Sequence, residues 1–334
     1  MPAFDSLRST RVAAIRLVPW LMVVLAQARL HAGDEPSGAV KATPSSGLAS
    51  VVSPIIDGHK GKVAVAIKHL GTGESFTFLE NEVMPTASLI KFPVMIEAYR
   101  QSEAKEIDLS ARLTLRKEDK VPGSGILTYH MSDGATFPLR DAIRFMIAFS
   151  DNTATNLVLD SIGLGATAVT MERMGYPNTK IHSKVFRRDT SIFPDRSKLY
   201  GLGSTTAAEM VRLCEAVHRK SILSPASCEA ILEHLRACED KDKFPRFLPA
   251  GTKVAFKTGS LSDTRTAAGI IECPAGPVAL CVLSYENDDK RWVADNAGNR
   301  LCALIARGVY DYFDHAPPAQ VGTGGKPPVA GASR

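Results

Sequence analysis

Segments with the alternation of β structure stand near both ends of this chain, and a long helical stretch separates them, so any sheet must be assembled from the two ends together. Residues 62–70 (KVAVAIKHL) alternate apolar and polar positions, GTGE follows, and residues 75–79 (SFTFL) alternate again, which is the pattern of a hairpin. Three more strands are predicted at 252–258, 265–272 and 278–285, the last two joined by the turn sequence Cys273-Pro274-Ala275-Gly276-Pro277. Between these groups the period changes to helical, first from Ser88 onward with a kink expected at Pro93, then at 139–149, 153–162, 167–174, 206–219 and 224–237. A last helix at 297–313 closes the pattern. The reading is an α+β fold: one five-stranded antiparallel sheet built from both ends, with an all-helical insertion as a second lobe. No internal repeat is visible.

Composition fits a soluble globular chain, with 45% hydrophobic and 22% charged residues in 334. The net charge of +5 is spread through the chain without a basic stripe, so no nucleic-acid partner is expected. At the start, Arg8, Arg11 and Arg16 precede the apolar run 17–28 (LVPWLMVVLAQA), which ends in Ala26-Gln27-Ala28. That layout predicts a secretory signal over 1–28, with an uncleaved anchor as the lesser alternative because the run is short and holds Pro19, and hence export to the periplasm or medium with no stable membrane insertion once the signal is removed. Residues 29–50 read as a flexible leader, 51–314 as one catalytic domain, and 315–334 as a disordered tail. Six cysteines, Cys214, Cys228, Cys238, Cys273, Cys281 and Cys302, lack the spacing of a zinc site and are expected in core or staple roles, with fifteen pairings open. The eight histidines are scattered, so neither a metal nor another cofactor is expected, and the protein is read as a monomer.

The chemistry concentrates in three short motifs, in this order: Ser88-Leu89-Ile90-Lys91, Ser150-Asp151-Asn152 and Lys257-Thr258-Gly259. Each is weak alone; the ordered set is specific. A serine hydroxyl needs a neighbour to take its proton, and residues three apart on a helix share a face, which brings the Lys91 amine to Ser88. Lys91 is either this base, with burial and Lys257 lowering its pKa, or a solvated helix lysine. The motifs, together with GSGIL at 123–127, SDNTATNLVLDSIG at 150–163 and STTAAEM at 204–210, resemble the class A β-lactamases, members of the penicillin-recognising serine enzymes; the resemblance covers about 50–313. It implies an acyl-enzyme on Ser88 formed with a β-lactam or D-alanyl peptide, with Ser150 relaying a proton to the leaving nitrogen. Asn152 would then hold Lys91 and the substrate amide, and Asp151 would fix its loop. By the same resemblance, Lys257 and Thr258 bind the substrate carboxylate, Gly259 leaves room for an extended substrate, and the amides of Ser88 and Ser260 form the oxyanion hole. Arg265 is either a second cation for the carboxylate or an ordinary exposed strand arginine.

One family feature is missing. Class A enzymes carry a glutamate in a stretch ending E-x-x-L-N that activates the deacylating water, and residues 176–204 contain no glutamate. Counting places Lys184 or Val185 there, and Asp189 and Asp195 are the only acids in the stretch. Acylation of Ser88 is therefore expected, with release slow or dependent on another base. Three functions follow: hydrolysis of β-lactams, a peptidase or esterase on D-alanyl or other acyl compounds, or a protein that is acylated and stays so.

Overall fold

A computed structural model describes residues 46–314. The proposed signal, most of the leader and the tail at 315–334 lie outside the described residues. The leader ends earlier than expected: helix α1, Ser46–Asp57, begins inside it. Its glycine, serine and proline content conceals a helix that depends on tertiary packing, with Leu48, Val52 and Ile56 buried against the last helix, α10, Ala297–Asp314. The folded unit therefore starts by residue 46, not 51.

Strands β1 (Lys62–His69) and β2 (Ser75–Phe78) form the expected hairpin. Small strands and helices of the insertion follow in the order β3 (Met84–Pro85), α2 (Lys91–Glu103), β4 (Arg112–Thr114), α3 (Leu127–His130), β5 (Thr136–Pro138), α4 (Leu139–Ala148), α5 (Asn152–Ile162), α6 (Ala166–Arg173), β6 (Lys180–Ile181), α7 (Pro194–Tyr200), β7 (Gly203–Thr205), α8 (Ala207–His218) and α9 (Pro225–Arg236). The chain then returns through β8 (Val254–Ser260), β9 (Arg265–Cys273) and β10 (Gly276–Tyr285) to α10. The sheet order is β2-β1-β10-β9-β8, antiparallel throughout, so the first strand lies beside the last.

The sheet is covered on both faces. On β1, Val63, Val65 and Ile67 pack toward α1 and α10, whereas Ala64 and Ala66 face the helical lobe. The alternation in this strand is thus large against small as much as apolar against polar, as a central strand buried on both sides requires. In the lobe, α2 is surrounded: Phe92, Val94, Met95, Ile96 and Ala98 are all fully buried. Pro93 does not interrupt it. It lies in the first turn, where amides have no intrahelical acceptor, and the preceding residues Ala87–Ile90 form a separate 3₁₀ turn. All six cysteines are free and buried, so they pack as small hydrophobes and staple nothing. No helix among the described residues is long and apolar enough to cross a membrane.

Candidate active site

Ser88 stands on the 3₁₀ turn between β3 and α2, with Ala87 before it in the left-handed region at φ 47°. Three contacts hold that turn. The Thr86 amide donates to Gly203 O at 3.0 Å, the Leu89 amide donates to Thr86 O at 3.1 Å, and the Thr266 hydroxyl of β9 donates to Thr86 O at 2.8 Å. Strand β8 passes so close that a Cβ on Gly259 would fall 2.3 Å from Thr86 O and 2.8 Å from the Ser88 nitrogen. The room left by Gly259 therefore serves the nucleophile turn itself, besides lying on the pocket where a substrate was expected.

The second motif caps α5. Asp151 accepts from the Ala154 amide at 2.8 Å and, with its other oxygen, from the amides of Ile126 and Leu127 at 2.7 and 2.8 Å. It thereby pins the loop at 122–126 to the helix start. Asn152 donates through its side chain to Pro122 O at 2.9 Å. Ser150 adopts φ 52°, which turns its side chain away from the regular path and toward the third motif.

Two lysines meet at that serine. Lys91 Nζ donates to Ser150 O at 2.6 Å and Asn152 Oδ1 at 2.9 Å, and reaches Ser150 Oγ at 3.4 Å. Lys257 Nζ donates to Ser150 Oγ at 3.1 Å and Thr258 O at 2.8 Å. Both amines are fully buried. Desolvation, joined by the positive charge of Lys257 and opposed by Asp151, drives the Lys91 pKa well below that of a free lysine. Lys257 is lowered by burial too, with Cys238 and Asp240 working against the shift. A neutral Lys91 can take up a proton. Because the Ser150 hydroxyl accepts from both amines, its own proton is left to donate elsewhere.

Ser88, Ser150, Asn152, Thr258, Gly259 and Ser260 line one pocket of about 700 Å³. Lys91 and Lys257 lie buried behind it. Arg265 does not join them. It is neither an exposed strand arginine nor a pocket cation: its guanidinium is buried, donates to the carbonyls of Leu261, Thr264 and Arg291, and lies 5.0 Å from the centre of the Trp292 ring. Alternation explains this, since neighbouring residues of β9 face opposite sides and Thr266 is the one that turns to the nucleophile.

Residues 47–313 match the beta-lactamase enzyme family. The chain belongs to that family. A beta-lactamase structure from Sphaerobacter thermophilus is 30% identical, with a TM-score of 0.71, covering 82% of this chain and 99% of that one. A beta-lactamase of Bacteroides uniformis is 24% identical over 293 residues, 81% of this chain and 93% of the relative. A mutant of PBP-A, solved as an acyl-enzyme complex with penicillin G, shares the fold at a TM-score of 0.68 and 23% identity, covering 80% and 96% of the two chains. The protein is thus a serine hydrolase of the beta-lactamase kind.

Of the two positions that counting gave, both on the pocket lining, Lys184 pairs with Asp160 and Val185 is buried. The Val185 amide donates to Asn156 Oδ1 at 2.8 Å, and Asn156 Nδ2 donates back to Val185 O at 3.0 Å, so the corner is fixed with an apolar side chain. Asp189 and Asp195 are exposed and do not line the pocket; Asp195 pairs instead with Lys198. Asp240 does line it, and sequence reasoning missed it. Burial opposes ionisation of Asp240, but Lys243 at 2.8 Å, the Thr258 side chain and backbone amides outweigh it and hold the carboxyl below its usual range. In the sequence it sits in CEDKDK, which reads as a solvated charge run. Phe186 and Trp292, also on the pocket lining, were missed because exposed loop aromatics carry no periodic signal.

Proposed function

We propose that this enzyme opens β-lactam amides through an acyl-enzyme on Ser88, in the class A manner, and that release of the acyl group is its slow step. The observation that carries the reading is the Lys91 amine, fully buried, shifted toward neutrality and held between Ser150 and Asn152 one turn past Ser88. In this scheme the substrate carboxylate binds Thr258 with Lys257 behind it, and the carbonyl oxygen lies between the amides of Ser88 and Ser260, each donor contributing about 3 kcal/mol to the transition state. Lys91 takes the Ser88 proton as Oγ attacks the carbonyl carbon. The C–N bond then breaks, and the ring nitrogen takes the Ser150 proton, which Lys91 replaces.

Release needs a base beside the ester, and Val185 supplies none. This favours a long-lived acyl-enzyme over rapid turnover. Exposure to benzylpenicillin, followed by intact-protein mass spectrometry, should show one adduct per chain that decays slowly, and Ser88→Ala should show none. No adduct on the natural chain, or one that persists in Ser88→Ala, would sink the proposal. A chromogenic cephalosporin should give a burst equal to the enzyme concentration before any slow phase. We also propose, from residues 1–28 alone, that the mature enzyme works outside the cytoplasm; an N-terminus beginning after Ala28 in the exported protein would support this.

A further inference from the structure

The turn that places Val185 also places a strained aromatic. Lys184 and Arg187 pair across it, with the Arg187 amide donating to Lys184 O at 3.2 Å, so Val185 and Phe186 are its corner residues. Phe186 adopts φ 57°, a backbone shape that glycine or asparagine takes at little cost and a bulky aromatic rarely takes. The side chain gains little from the core in return, because the residue is 61% exposed. Nor does the turn move freely: Val185 is tied to Asn156, Lys184 pairs with Asp160, and Arg187 donates to Glu118 O at 2.9 Å. The ring is thus presented by a fixed turn. It lines the pocket and rests against Gly123, where a Cβ would come 3.2 Å from the Phe186 ring and 2.6 Å from Asn152 Nδ2. Backbone strain that surrounding contacts enforce, without a packing reason, points to a use in binding.

We propose that Phe186 is a specificity-determining residue whose ring receives an aromatic or large apolar group on the acyl side of the substrate. The inference rests on the acyl-enzyme reading above and extends it to the preferred substrate. In that reading Asn152 holds the substrate amide, and Gly123 brings Phe186 to the same end of the pocket. The carboxylate end lies on β8, toward Leu261 and Trp292. A phenyl group bound against Phe186 leaves water and meets a ring in an orientation fixed in advance, so little freedom is lost on binding.

The test compares acylation of Ser88 by benzylpenicillin, which carries a phenyl group on its acyl side, with acylation by 6-aminopenicillanic acid, which lacks that side chain. Second-order rate constants come from intact-protein mass spectrometry on the natural chain, Phe186→Gly and Phe186→Tyr. The ratio of the two rates should fall about tenfold in Phe186→Gly and stay near the natural value in Phe186→Tyr. The melting temperature of Phe186→Gly should hold or rise, because glycine relieves the left-handed strain. An unchanged ratio in Phe186→Gly overturns the role of Phe186 alone. Failure of both compounds to acylate the natural chain instead overturns the acyl-enzyme reading, and this inference with it.

Discussion

Two ammonium groups removed from water around one serine hydroxyl cannot both keep their protons cheaply, and the pair Lys91 and Lys257 sets the pH response of the site. Removing the charge of Lys257 takes away a repulsion, so the charged form of Lys91 becomes easier to keep and its pKa rises. In Lys257→Met the ascending limb of the acylation rate should therefore move to higher pH, measured as the rate of adduct formation across a pH series. A limb that stayed in place would remove Lys257 from the control of Lys91. Individual residues were legible where a short local pattern carries them: Ser88, Lys91, Ser150, Asn152 and Lys257 all follow from one four-residue motif and two triplets. Arg265 was not, because which carbonyls a guanidinium finds depends on the loops at 261–264 and 289–292, beyond its own strand.

At the scale of elements, the approach of β8 to the nucleophile turn is the tightest constraint in the site. Gly259→Ala places a methyl group 2.3 Å from a backbone carbonyl, so strand and turn must separate. The expected result is a stability loss of about 1–3 kcal/mol in denaturant unfolding, with at least about tenfold slower acylation. The turn holding Val185 offers the opposite kind of change. Val185→Glu would put a carboxylate on a corner already fixed by Asn156, and the acyl-enzyme should then decay faster in a mass-spectrometric time course at unchanged adduct stoichiometry. A decay rate equal to that of the natural chain would show that this corner does not reach the ester. The long elements were readable from period alone. Helix α1 and strands such as β6 and β7 were not, since two or three residues carry no period and α1 draws its stability from α10.

For the whole molecule, two histidines deep in the helical lobe govern the acid response. Burial pushes the pKa of His182 and of His234 down to about 4. The unfolded chain takes up these protons first, near the ordinary value of 6.5. Stability should therefore fall as pH drops from about 6.5 toward 4. The lowered carboxyls of Glu97 and Asp240, with ordinary values of 4.5 and 3.8, lose their contribution only at lower pH. Urea unfolding across this range should show the decline, and His234→Gln should make it shallower; an identical slope in the variant would exclude His234 as a source. The architecture was legible because strand patterns at both ends leave one sheet as their common solution. That same arrangement governs the order of assembly. Since β1 completes its ladder only with β10, a ribosome must make the entire helical insertion before the first strand finds its second neighbour. Until then β1 offers an open edge, and a holdase that recognises short extended apolar segments would have its binding site there.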